Sequence, residues 1–171
     1  MSISEKTRDV FILGLRNQHA VENQAIELLQ RQIDRLEHYP DLSQRMTEHV
    51  RESQNQAERL KKLLTTYDSS HSATKDATLS LMGNLAALGH IFAADEVIKN
   101  SFANLAFENY EIASYRSLIT LAELCEDQQA SAMLNQSLEE EQAMAQFVER
   151  NIDPTTRLYI ARLEQGETAG R

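Results

Sequence analysis

From Ser4 to about His38 nothing interrupts a helical rhythm. Apolar or small residues recur at Phe11, Leu15, Ala25, Leu29, Ile33 and Leu36, always returning to one helix face. An apolar stripe that long is buried most simply against other helices of similar length. Only 2 prolines and 5 glycines occur in 171 residues, so little breaks further long helices. Ser2 or Ser4 can cap the first helix. Pro40, in HYPDLS, ends it, because proline bars the α region to the residue before it. A second helix is predicted over about 41–67, with Met46, Val50, Ala57, Leu60, Leu63 and Leu64 turned inward.

SSHSATKD, at 69–76, is a polar break. TLSLMGNLAALGHIFAAD then reads as a packed helix of roughly four turns inside a long connection. Asp95 can cap a third long helix over about 96–125, and a fourth follows over about 127–151. Asp153-Pro154 suits an N-cap followed by proline at the first helical position, opening a short C-terminal helix. The tail GETAGR is expected to fray. This predicts one all-α domain over 1–165, with 166–171 a disordered tail. Four long helices with an extended connection between the second and third describe a ferritin-like four-helix bundle with one long crossover.

Composition removes several functions. The net charge is −9, and the densest basic stretch, RLKKLL, looks like an ordinary helix face. Nucleic acids and anionic membranes both reward clustered Lys and Arg, so neither is an expected partner. Cys125 is the single cysteine, which excludes an intrachain disulfide and suits a reducing compartment. It has no cationic neighbour in sequence to activate it. The N-terminus lacks the cationic start and apolar core of a signal peptide, and no long apolar run follows, so a soluble, cytoplasmic protein is expected.

The acidic residues carry the functional information. The first helix's inward set, 11, 15, 18, 22, 25, 29 and 33, includes Glu22. The second helix's face carries His49, Glu52 and Gln56. In FENYEIASY the third helix carries Glu108 with Glu111 beside it, and the fourth carries Glu141 in line with Leu134, Leu138, Ala145 and Val148. Residues 22, 52, 108 and 141 each lie near the middle of their own helix. At ~1.5 Å per residue, a mismatch of two or three positions moves a side chain by only about 3–5 Å. Five carboxylates, Glu22, Glu52, Glu108, Glu111 and Glu141, are therefore expected to converge at the waist of the bundle. Burying that much unpaired charge is prohibitive. Protons relieve it, or one or two divalent cations; oxygen ligands suit iron or manganese better than zinc. Taken singly, each Glu at the border of a stripe is a snorkelling surface residue.

At these residues the chain resembles a known family. LRNQHAVENQ, HVRESQNQAERL, FENYEIASYRSL and LEEEQA are similar in order and spacing to the YciE/YciF-type ferritin-like proteins, small bacterial and often stress-associated bundles distantly similar to rubrerythrin. The resemblance covers about 8–150 and implies a homodimeric bundle. By position it implies a metal set of Glu22, Glu52, Gln56, Glu108, Glu111 and Glu141. Ferritin-like di-iron sites commonly use Glu-x-x-His pairs, and none of the 5 histidines here has Glu three residues before it. Asn55 and Met144 stand where those imidazoles would be, and Ala145 where many relatives carry an acid.

Other residues have bland alternatives. His49 is read as a surface residue, a ligand or a partner that supports one from behind, and His90 as a packed helix-end residue. Tyr110 and Tyr115 either hold a ligand carboxylate or pack in the core. The apolar crossover exceeds what four helices need and suits a dimer interface or a shield over the bundle. Two functions stay open. One is an iron or manganese site, possible as a di-metal oxidase or peroxidase acting on peroxide or ferrous iron. The other is a non-catalytic stress scaffold whose metal site is vestigial or absent.

Overall fold

The structure is a computed structural model, and it describes residues 4–67 and 96–170. Among these residues four helices form: α1 Glu5–Ile33, α2 Pro40–Tyr67, α3 Glu96–Leu124 and α4 Gln128–Glu164. The crossover helix, Asp95 and His90 lie outside the described residues. None of the described helices is long and apolar enough to cross a membrane.

α1 packs against α2 and α3 against α4; α1 also lies beside α3 and α2 beside α4, leaving the other pairs diagonal. Tyr67, at the end of α2, meets Arg8 and Asp127, whereas Arg35, past the other end of α1, holds Glu96 at the start of α3. The crossover therefore begins and ends at opposite ends of the bundle. α2 and α3 run parallel. That up-down-down-up order is what one long connection between the second and third helices allows.

α1 stops five residues short of its expected end. Residues 34–39 make tight turns instead, with Leu36 N–H on Ile33 C=O and Tyr39 N–H on Leu36 C=O. Pro40 keeps Tyr39 out of the helix and becomes the first residue of α2, where its missing N–H costs nothing. The α3–α4 corner uses Glu126 at φ 55°, and Asp127 caps α4 by accepting from Ala130 N–H at 2.8 Å. Gly14 lets α1 approach α3: a Cβ there would stand 2.8 Å from Leu118 Cδ2.

Two expectations at the C-terminus are corrected. No separate short helix opens at Asp153, since α4 runs unbroken through Pro154. An interior proline costs about 3 kcal/mol. The turns beyond it offset that cost by burying Thr155 and Tyr159, the latter in the cluster that also holds Leu36 and Tyr39. The tail does not fray along its described length either. It folds back so that Ala169 is buried, Tyr39 donates to its carbonyl at 2.5 Å, and Arg162 donates to Thr168 C=O.

The core is divided. One apolar cluster, with Phe11, Leu15, Leu60, Leu118 and Leu134, fills the end near Tyr67. Another, with Leu29, Met46, Val97, Val148 and Tyr159, fills the end near Tyr39. Between them lies a buried polar layer.

Candidate metal centre

The polar layer is the predicted waist. Gln18, Glu22, His49, Ser53, Gln56, Glu108, Glu111 and Glu141 are all buried there, none more than 2% exposed. α1 supplies Gln18 and Glu22 one turn apart, and α3 supplies Glu108 and Glu111. α4 contributes Glu141, while α2 brings His49, Ser53 and Gln56.

His49 is the centre of the arrangement. Its Nδ1 lies 2.7 Å from Glu52, and its Nε2 is ion-paired with Glu108 at 3.2 Å and with Glu141 at 3.6 Å. Ligand atoms of His49, Glu108 and Glu141 all lie within 4.8 Å of one another. Glu52, expected among the inward carboxylates, instead sits at the edge with its side chain 32% exposed, taking a 3.0 Å bond from Arg45. Its contact is with the back of the imidazole. A histidine whose far nitrogen is fixed by a carboxylate has its other nitrogen aimed and its tautomer set, a common arrangement behind metal-bound imidazoles.

The other half is held differently. Gln18 Nε2 donates to Glu22 Oε1 at 3.0 Å and to Glu111 Oε1 at 3.1 Å, and the Tyr115 hydroxyl donates to Glu22 Oε1. Gln56 turns its amide nitrogen outward to Glu140 at 3.0 Å, and Arg59 clamps Glu140 with two 2.7 Å bonds. Tyr115 thus takes the orienting role considered for it, while Tyr110 stays 39% exposed. Arg45 and Arg59 reach the layer from its rim, which the inward stripes alone do not reveal.

Burial dominates the electrostatics. It raises Glu22 to about 7 despite the opposing bonds from Tyr115 and Gln18. Burial also pushes Glu111 and Glu141 well above the usual carboxylate range, neighbouring carboxylates adding to it. For His49 burial works against the charged form, yet Glu108, Glu52 and Glu141 together outweigh it and raise the imidazole to about 10. Burial also acts against Glu52, but His49 and Arg45 hold it below its ordinary value. Tyr115, raised by burial and by Glu22, keeps its proton and remains a donor.

Among the described residues nine buried polar atoms lack a hydrogen bond of good geometry, among them both Glu141 oxygens and one oxygen each of Glu22, Glu108 and Glu111. Buried polar atoms are normally paired, so this many in one layer point to a missing occupant. The donor set fits a metal ion. Ligands ~2.1 Å from a shared ion stand about 3.0–3.6 Å apart, which matches the spacing around His49 Nε2. One turn away, a cavity of about 20 Å³ between Met46, Asn104, Met144 and Phe147 has room for a single water.

Comparison with known proteins agrees with the fold and the motifs. The model of a family described as Domain of unknown function (DUF892) matches residues 6–161. The chain belongs to the DUF892 family. Protein YciF of Escherichia coli (strain K12) is 34% identical over 146 residues, covering 79% of this chain and 83% of YciF. The crystal structure of the E. coli stress protein YciF superposes with a TM-score of 0.71 at 27% identity, over 87% of this chain and 96% of that one. A protein from Xanthomonas campestris pv. campestris reaches a TM-score of 0.78 at 26% identity, covering 93% of this chain and 99% of that one. This DUF892 chain is thus a YciF-type all-α bundle, as its motifs imply.

The site shares its register with the sequence reading but not every residue. Glu22, Glu108, Glu111 and Glu141 meet at the waist as expected, and Gln56 reaches it with only its carbonyl oxygen. Glu52 stays at the rim, and His49 takes the inner place. The available signal was Met46-x-x-His49-x-x-x-Ser53-x-x-Gln56, a cleaner helical line than one drawn through Glu52.

Proposed function

We propose that this DUF892 protein binds an iron or manganese ion between its helices, through His49, Glu108 and Glu141. The observation that carries this reading is the imidazole itself. Glu52 holds its Nδ1, its Nε2 faces two buried carboxylates at 3.2 and 3.6 Å, and ligand atoms of all three lie within 4.8 Å of one another. Bound there, such an ion would supply redox chemistry toward peroxide or ferrous iron, a stress-response role in keeping with the description of E. coli YciF as a stress protein. The chain's own contribution is to aim the imidazole through Glu52 and Arg45, to hold Glu22 with the hydroxyl of Tyr115, and to close both ends of the site with apolar side chains.

Metal content of chelator-free protein, measured by mass spectrometry beside a His49→Ala/Glu141→Gln variant, tests the binding step. Metal retained by the wild type and lost by the variant is the expected result. No metal in either would end the reading. Catalysis is tested separately, as peroxide loss above a free-metal blank.

A second reading has its own observation. Met144 and Asn55 remove the imidazoles of ordinary di-iron sites, leaving a site of mostly oxygen donors. On that reading the bundle is a stress-associated scaffold in which protons occupy the waist. The same peroxide assay separates the two. We place either form in a homodimer, using the groove between α1 and α3 where Val10, Leu13 and Tyr110 are exposed beside Gly14. Light scattering giving the mass of a single chain would remove that assignment.

A further inference from the structure

The geometry points to one metal ion per chain, with Gln18 as the residue that keeps a second ion out; this rests on the metal-binding reading above. Gln18 is 1% exposed, and its amide nitrogen stands between Glu22 and Glu111, 3.0 and 3.1 Å from an oxygen of each. An amide nitrogen has two hydrogens, and both are used. In this orientation the amide nitrogen serves one oxygen of each carboxyl group. Gln18 therefore fills the space between Glu22 and Glu111 with two N–H donors, without adding the charge a cation would bring.

Two further features close that half of the site. The Glu22 oxygen that accepts from Gln18 also accepts from Tyr115, so both of its lone pairs are engaged. Among the described residues no imidazole stands on that side: α4 offers Met144 one turn from Glu141, and α2 offers Ser53 and Gln56 below His49. Among the described residues, His49, Glu108 and Glu141 form the trio of His, Cys, Asp or Glu whose ligand atoms converge. The two halves are thus unlike. One is a converging set of ligand atoms; the other is a carboxylate pair bridged by a neutral amide, with one oxygen each of Gln18, Glu22 and Glu111 left unpaired. Gln18 acts as a stoichiometry-determining residue that need not touch the bound ion.

The test uses the full chain, stripped with chelator and titrated with Mn²⁺. Bound manganese is counted after desalting, and the electron paramagnetic resonance spectrum reports whether ions are isolated or coupled. The wild type is expected to hold one manganese with the six-line spectrum of an isolated ion. Gln18→Glu is expected to double the count and give the spectrum of an exchange-coupled pair. Two manganese ions in the wild type would overturn the inference and leave metal binding standing. None would overturn both. A helical Gln18→Glu protein that still holds only one would remove Gln18 from the role. If that variant does not fold, the wild-type count decides.

Discussion

Replacing Glu22 by Gln should stabilise the metal-free protein at pH 8 and do almost nothing near pH 4.5. Glu22 is fully buried and its carboxyl is raised from 4.5 to about 7. A group raised on folding contributes stability that is whole below its unfolded value and lost as pH climbs through its folded value. At pH 8 the wild type has therefore lost about 3 kcal/mol, which the amide does not lose. The amide also fits. Its oxygen can accept from Tyr115 and Gln18 as Glu22 does, and its nitrogen faces unpaired oxygens of neighbouring carboxylates. Urea unfolding in the presence of chelator, at pH 4.5 and pH 8, measures the difference. A gain of about 2–3 kcal/mol at pH 8 corresponds to a Tm increase of roughly 5–10 °C for a domain of this size. A variant that is no more stable than wild type at pH 8, or that keeps the wild-type slope against pH, would refute the reasoning.

Glu52→Gln should weaken manganese binding about 10- to 100-fold, because it loosens the bond that aims His49; calorimetric titration reads this, and unchanged affinity would make Glu52 a surface residue after all. Manganese at about 100 times its dissociation constant should stabilise the wild type by about 2.7 kcal/mol, an effect that chelator removes and that Glu141→Gln abolishes. A thermal scan with and without the ion is sufficient. Tyr39→Phe removes the bond to Ala169 and should cost about 1 kcal/mol, with faster amide exchange over 166–170 by mass spectrometry; exchange unchanged from wild type would show that the tail is held by other contacts.

The long elements were legible because helical periodicity is a strong signal over seven or more turns. Glu22, Glu108, Glu111 and Glu141 followed from it, since counting along a helix fixes height well. Facing is fixed less well. His49 and Glu52 are three residues apart, about 60° around the helix, and the apolar stripe of α2 is wide enough to admit either. What decides between them is Arg45, which draws Glu52 to the rim and lies two turns earlier. Gln18 was on the inward face, yet nothing local shows that its amide spans two carboxylates, one of them 93 positions away. Pro154 misled for a related reason. Asp-Pro is a sound start signal, and only the burial of Thr155 and Tyr159 beyond it explains an unbroken helix.

The two apolar clusters have a consequence for how such a protein changes over generations. Each helix is anchored at both ends, so the waist between the anchors is free to vary in chemistry without deciding whether the chain folds. Swapping a residue there alters the chemistry of the buried layer, while Leu15, Leu60, Val97 and Val148 go on holding the bundle. A lineage built this way can gain, trim or discard a metal centre and remain recognisable by its shape. Kinship in this architecture is therefore evidence about the anchors, and each member's chemistry has to be read from its own middle layer.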